Sequence, residues 1–130
     1  MRRGAAIATF AAVVALALPA TTSGAASHVT RFKAGESNCG VQLPSLGGMS
    51  CFSPVLPGTA LDGYVELHRH GKARLGERGD SPWRGGGSTR LHSGDRWGRV
   101  GVHCVKRSAL RCHNADGHGF VIGARDYRLF

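Results

Sequence analysis

Beyond its first 26 residues the chain has no continuously apolar run, no internal repeat and no window with a convincing helical apolar stripe. The first absence leaves no stretch near the ~20 residues that cross a hydrocarbon core, and the last argues against a helical fold. Acidic side chains are scarce, 8 against 17 Lys and Arg, so the formal charge is +9 and an anionic partner is the natural complement. There is no nucleophile elbow, phosphate loop or zinc-protease motif, and no C-x-x-C pair, which removes the common signatures of hydrolases, nucleotide-binding proteins and structural zinc sites. With 130 residues a single small domain is the expectation.

The N-terminus has the three-part layout of a secretory signal peptide. Arg2 and Arg3 precede an almost wholly apolar stretch from Ala5 to Ala20, and small residues follow from Thr21 to Ser27. Cleavage is expected after Ala25 or Ala26, which divides the chain into residues 1–26 and an exported domain, residues 27–130. No cysteine precedes Cys39, so a lipid-modified cysteine at the cleavage site is excluded. After cleavage no membrane span remains, and the exported part stays basic.

Cys39, Cys51, Cys104 and Cys112 all lie in that part, and an even count in an exported chain favours two disulfides. Local pairing, Cys39 with Cys51 and Cys104 with Cys112, is preferred because each pair brackets a turn between short strand-like runs. Cysteines opposed on antiparallel strands sit within disulfide range.

The remainder reads as short extended pieces separated by glycine-rich turns, which predicts an all-β domain, a small antiparallel sandwich or barrel. The expected strands are 29–33, 39–43, 49–52, 63–68, 73–75, 90–92, 97–105, 110–113, 119–122 and 127–130. In the longest, Val100, Val102 and Cys104 alternate with Gly101 and His103 and should face inward. Asn114-Ala115-Asp116-Gly117 supplies the left-handed backbone of a tight reversal, and Pro44, Gly47 and Gly48 play the matching part in the first hairpin. Gly76 to Ser88, with Pro82 and several glycines, is expected to be a mobile loop around Trp83.

Cys104, Leu110-Arg111-Cys112-His113-Asn114, Gly117-His118-Gly119-Phe120 and Tyr127-Arg128-Leu129-Phe130 together resemble a family of small exported actinobacterial proteins built on a domain of unknown function. In that family a cysteine pair, a C-x-N turn, a Gly-His-Gly-Phe run and a terminal Tyr-x-Leu-Phe recur. Asn38-Cys39 and Cys51 look like its opening cysteine pair, so the resemblance runs from Phe32 to Phe130. Family members carry a third cysteine pair in mid-domain that this chain lacks, a departure compatible with local pairing of the other four. The resemblance implies export and marks Asn114, Gly117, His118, Gly119, Phe120, Tyr127 and Phe130, without implying an activity.

Candidate chemistry is sparse. His68-Arg69-His70 places two imidazoles on one face of an extended segment, but no third metal ligand is identifiable, and no cofactor is expected. Tyr64-Val65-Glu66-Leu67-His68 resembles the strand that carries the general base in small secreted microbial ribonucleases, and Arg125 to Phe130 resembles their C-terminal segment. Asp126 stands where that resemblance requires a histidine acid. Arg78-Gly79-Asp80 is a chance match in a chain this rich in arginine and glycine. The basic residues are spread without a block, and Trp83 and Trp97 are the obvious stacking platforms for nucleic acid.

The resulting expectation is a non-catalytic extracellular or cell-wall-associated module. Its alternatives are a secreted hydrolase of an anionic polymer that uses Glu66 and His118, or a module that binds an anionic cell-wall polymer or nucleic acid through its arginine-rich surface.

Overall fold

A computed structural model describes residues 29–42, 47–58, 62–78 and 89–130. The expected signal peptide, residues 1–26, lies outside them, as do Pro44, Trp83 and the Gly79-Asp80 part of the adhesion-like tripeptide.

Hydrophobic residues at alternate positions and glycine at the reversals give eleven strands among the described residues. They are β1 (Arg31–Ala34), β2 (Ser37–Val41), β3 (Gly48–Phe52), β4 (Asp62–His68), β5 (Arg74–Arg78), β6 (Thr89–Arg90), β7 (Arg96–Arg99), β8 (Val102–Lys106), β9 (Leu110–Asn114), β10 (Gly119–Ile122) and β11 (Tyr127–Leu129). β1 to β5 form an antiparallel meander, and the two-residue β6 adds to it alongside β1 in parallel, making a mixed six-stranded sheet. β7 to β11 form a second, five-stranded antiparallel meander. The expected all-β fold is present. Among the described residues the β1–β6 pair is the one parallel pairing, at the edge opposite β5.

Both disulfides have the local pairing. Cys39 and Cys51 are direct partners on β2 and β3 with Cα atoms 4.1 Å apart, and Cys104 and Cys112 are partners on β8 and β9 at 4.0 Å. All four sulfurs are on inward faces and belong to the buried core that the two sheets share. Phe32 of β1 meets Trp97 of β7 with ring centroids 5.0 Å apart. The Cys104 sulfur lies 3.9 Å from Met49 Sδ of β3. A bridged sulfur carries no hydrogen, so this is a van der Waals contact between the sheets.

Three expectations need correction. The run 97–105 is not one strand: it is broken at Val100 and Gly101, whose φ angles of 50° and 75° make a left-handed two-residue reversal between β7 and β8. Val102 and Cys104 are buried as expected, whereas Val100 sits in the turn and is only half-buried. Strand β5 continues through Gly76 to Arg78, where a loop was expected, because Gly76 pairs with Tyr64 and leaves room for that tyrosine ring. Trp97 is a core residue at 1% exposure, with its indole N–H donated to the Val29 carbonyl at 2.7 Å, so it cannot be a stacking platform.

Candidate functional site: a cationic sheet face and a turn junction

Period-two alternation sends Trp97, Cys104, Cys112 and Phe120 into the core, and the residues between them to the other side of the five-stranded sheet. The register makes that outer face explicit. One row across the sheet reads Arg96, Val105, Arg111, Val121 and Arg128, on β7 to β11 in turn. The three arginines are exposed and the valines between them half-buried. Alternate strands are about 10 Å apart, so the guanidinium groups arise from a regularly spaced line. The next row reads Gly98, His103, His113 and Gly119, and Phe130 pairs with Gly119 through two backbone hydrogen bonds of 2.9 and 3.0 Å. β7 to β11 contain no aspartate or glutamate, so no carboxylate within the strands neutralises this face.

Phe130 does not offer a free ring on it. The Arg111 guanidinium carbon lies 4.2 Å from the ring centroid, within cation–π range, and Arg128 lies at 5.7 Å. The ring also lies over Gly119: a Cβ there would come within 2.8 Å of Phe130 Cζ and would collide with the Cys112 carbonyl oxygen. Glycine at 119 is thus required by close approach, and the terminal phenylalanine lies across the sheet.

A second constellation joins the two sheets at one end. Asn114, the last residue of β9, is 3% exposed and uses its whole side-chain amide. Nδ2 donates to the His68 carbonyl at 2.9 Å and the Gly71 carbonyl at 2.7 Å, while Oδ1 accepts from the Asp116 and His118 amides, both at 3.1 Å. Beside it, Asp116 faces His70 Nδ1 at 3.0 Å and accepts the Gly71 amide at 2.8 Å. The hydrogen bond with His70, then that from Gly71, holds the Asp116 carboxyl below its ordinary value of 3.8. Arg69 of the same β4–β5 turn lies over Gly101, where a Cβ would come within 2.6 Å of Arg69 Cγ. The residues of the C-x-N and Gly-His-Gly-Phe runs are placed here: Gly117 turns with φ of 79°, His118 closes the turn through its backbone, and Phe120 is buried. Tyr127, on β11, is exposed.

The two imidazoles singled out for metal binding do not converge. β4 ends at His68, so His68 and His70 diverge, one toward Glu66 at 3.7 Å and the other to Asp116. Glu66, on β4, also accepts a hydrogen bond from Gln42 at 3.2 Å, whereas His118 lies in the β9–β10 turn of the other sheet and is held there through its backbone, its amide donating to Asn114 Oδ1 at 3.1 Å. Among the described residues no group of three or more His, Cys, Asp or Glu is placed to hold a metal ion. A cleft of about 230 Å³ at the opposite end, lined in part by Glu36, Ser53, Lys106 and Ser108, brings no convergent acid and base, since the Lys106 ammonium is donated to the Arg107 carbonyl. Among the described residues no helix is long and apolar enough to cross a membrane. No family model matches the chain, and neither a curated protein nor a solved structure matches it.

The arginine row is the one feature that composition announces and sequence reading does not locate. Arg96, Arg111 and Arg128 are far apart in the chain, and only the pairing register aligns them.

Proposed function

We propose that this chain is an exported, non-catalytic module that binds an anionic polymer along the outer face of its five-stranded sheet. The observation that carries the reading is the cross-strand row of Arg96, Arg111 and Arg128, free of carboxylates within its strands. Arginine suits phosphate or carboxylate oxygens because its planar fork donates two parallel hydrogen bonds. Two closed disulfides fit an oxidising compartment, and the signal-like N-terminus and the resemblance to small exported actinobacterial proteins support export and an extracellular or cell-wall-associated location.

The face favours a polymer of repeated anionic groups, of the kind found in cell walls, over nucleic acid. Single-stranded nucleic acid is held by bases stacked on open aromatic rings. On this face, among the described residues, the one Phe, Tyr or Trp ring is that of Phe130, and it lies between Arg111 and Gly119.

The test is retention of the oxidised protein on inorganic polyphosphate. Replacing Arg96, Arg111 and Arg128 by Gln should abolish retention at moderate salt, whereas Lys72→Gln in the β4–β5 turn together with Arg74→Gln on β5 should leave most of it. Equal retention of both variants, or tighter binding to an RNA oligomer than to polyphosphate of equal charge, contradicts the proposal.

A further inference from the structure

The same outer face carries two imidazoles that the polymer-binding reading does not use. His103 of β8 and His113 of β9 are direct cross-strand partners, both exposed, with ring centroids 5.8 Å apart. From this geometry we infer that His103 and His113 form a two-histidine binding site for a divalent copper ion.

Three observations support a chelating pair over a chance neighbour relation. The first is span. A metal–nitrogen bond of about 2 Å, with about 1.1 Å from nitrogen to ring centre, lets one ion join rings whose centroids are up to about 6 Å apart. The observed separation falls within that reach, and exposed imidazoles adjust by side-chain rotation. The second is register. The adjacent pair in the same two strands is Cys104 and Cys112, covalently joined with Cα atoms 4.0 Å apart. A slip of β8 against β9 would break that bond, so the histidines are held opposite one another before any ion arrives, and little ordering is left for binding to impose. The third is clearance. The flanking positions in the row are Gly98 and Gly119. A Cβ at residue 98 would come within 3.0 Å of His103 Nδ1, so glycine keeps that nitrogen uncrowded.

The donor set selects the metal. With no third His, Cys, Asp or Glu beside the pair among the described residues, solvent must fill the remaining positions. Zinc sites normally use three or four protein ligands. Divalent copper accepts a tetragonal set of imidazole nitrogens and waters and stands highest in the divalent affinity order. The bound ion is therefore exchangeable and open on its solvent side.

The experiment is a titration of the exported, oxidised chain with Cu²⁺ alone in a weakly coordinating buffer. All samples carry His28→Ala, because a histidine close to a free amino terminus is itself a copper ligand. Two readouts are followed: paramagnetic broadening of each histidine ring signal by NMR, and affinity from the visible copper band. The expected result is one ion per chain, with His103 and His113 broadened first, and an affinity at least tenfold lower in both His103→Ala and His113→Ala but unchanged in His92→Ala. Broadening that is even across the histidines or centred on His68 and His70 overturns the inference. So does an affinity that neither His103→Ala nor His113→Ala changes. The ring signals of the His28→Ala parent decide the site without either ligand substitution.

Discussion

The Asn114 side-chain amide donates to the His68 carbonyl at 2.9 Å and to the Gly71 carbonyl at 2.7 Å, which ties the β9–β10 turn to the β4–β5 turn of the other sheet. Its Oδ1 accepts from the Asp116 and His118 amides within its own turn. A buried amide with every hydrogen-bonding atom engaged is costly to remove, because its partners are left unsatisfied. Asn114→Ala should destabilise the fold by about 2 to 4 kcal/mol in denaturant unfolding. Asn114→Asp should cost at least as much near neutral pH, since a carboxylate cannot donate and would face two carbonyl oxygens. Loss of less than half a kilocalorie in either variant contradicts the role assigned to this residue.

Asp116 gives the junction a pH dependence. Its carboxyl titrates below its ordinary value of 3.8 because His70 and the Gly71 amide favour the charged form. A native value below the unfolded one means that its contribution is fully present above about 3.8 and is lost as pH falls through the lower native value. Stability against pH should therefore decline more steeply below pH 4 in the native chain than in Asp116→Asn. Parallel curves for the two proteins would show that the carboxylate contributes nothing there.

Gly119 is fixed by contact, since any Cβ would strike the Cys112 carbonyl oxygen and the Phe130 ring. Gly119→Ala should cost about 2 kcal/mol or more by overpacking, whereas Gly117→Asn, at a positive φ with open space around it, should cost much less. Thermal unfolding of the two variants side by side checks the order, and the reverse order would contradict it.

Much of this architecture is readable along the chain. Each cysteine pair brackets a turn, so local pairing follows from hairpin geometry, and period-two burial of Val102, Cys104, Leu110 and Cys112 is visible in residue order. The Val100-Gly101 reversal is hidden because a β-branched residue rarely adopts positive φ, so valine there reads as strand. The two residues of β6 are too few to show a period. The candidate site was the least legible part: the Arg96–Arg111–Arg128 row and the His70–Asp116 contact depend on strand register and on the docking of distant turns, which no local spacing encodes.

The two disulfides close loops with sequence separations of 12 and 8. In the chain-entropy picture they contribute roughly 2.5 to 3 kcal/mol each, a large share for a domain of this size. Replacing Cys104 and Cys112 together by alanine should lower stability by about that amount and also loosen the His103–His113 register. Urea unfolding gives the first quantity, and a change below 1 kcal/mol would show that the clip is dispensable.

The central claim, that a line of arginines on one sheet face holds an anionic polymer, is tested most directly by the salt dependence of polyphosphate affinity in the native chain and in single Arg96→Gln, Arg111→Gln and Arg128→Gln variants. The account predicts that the logarithm of affinity falls linearly with the logarithm of salt, with a slope of about −2 to −3 for the native chain, and that each substitution reduces its steepness by about 1. A native slope near zero, or slopes that none of the three substitutions alters, would contradict it.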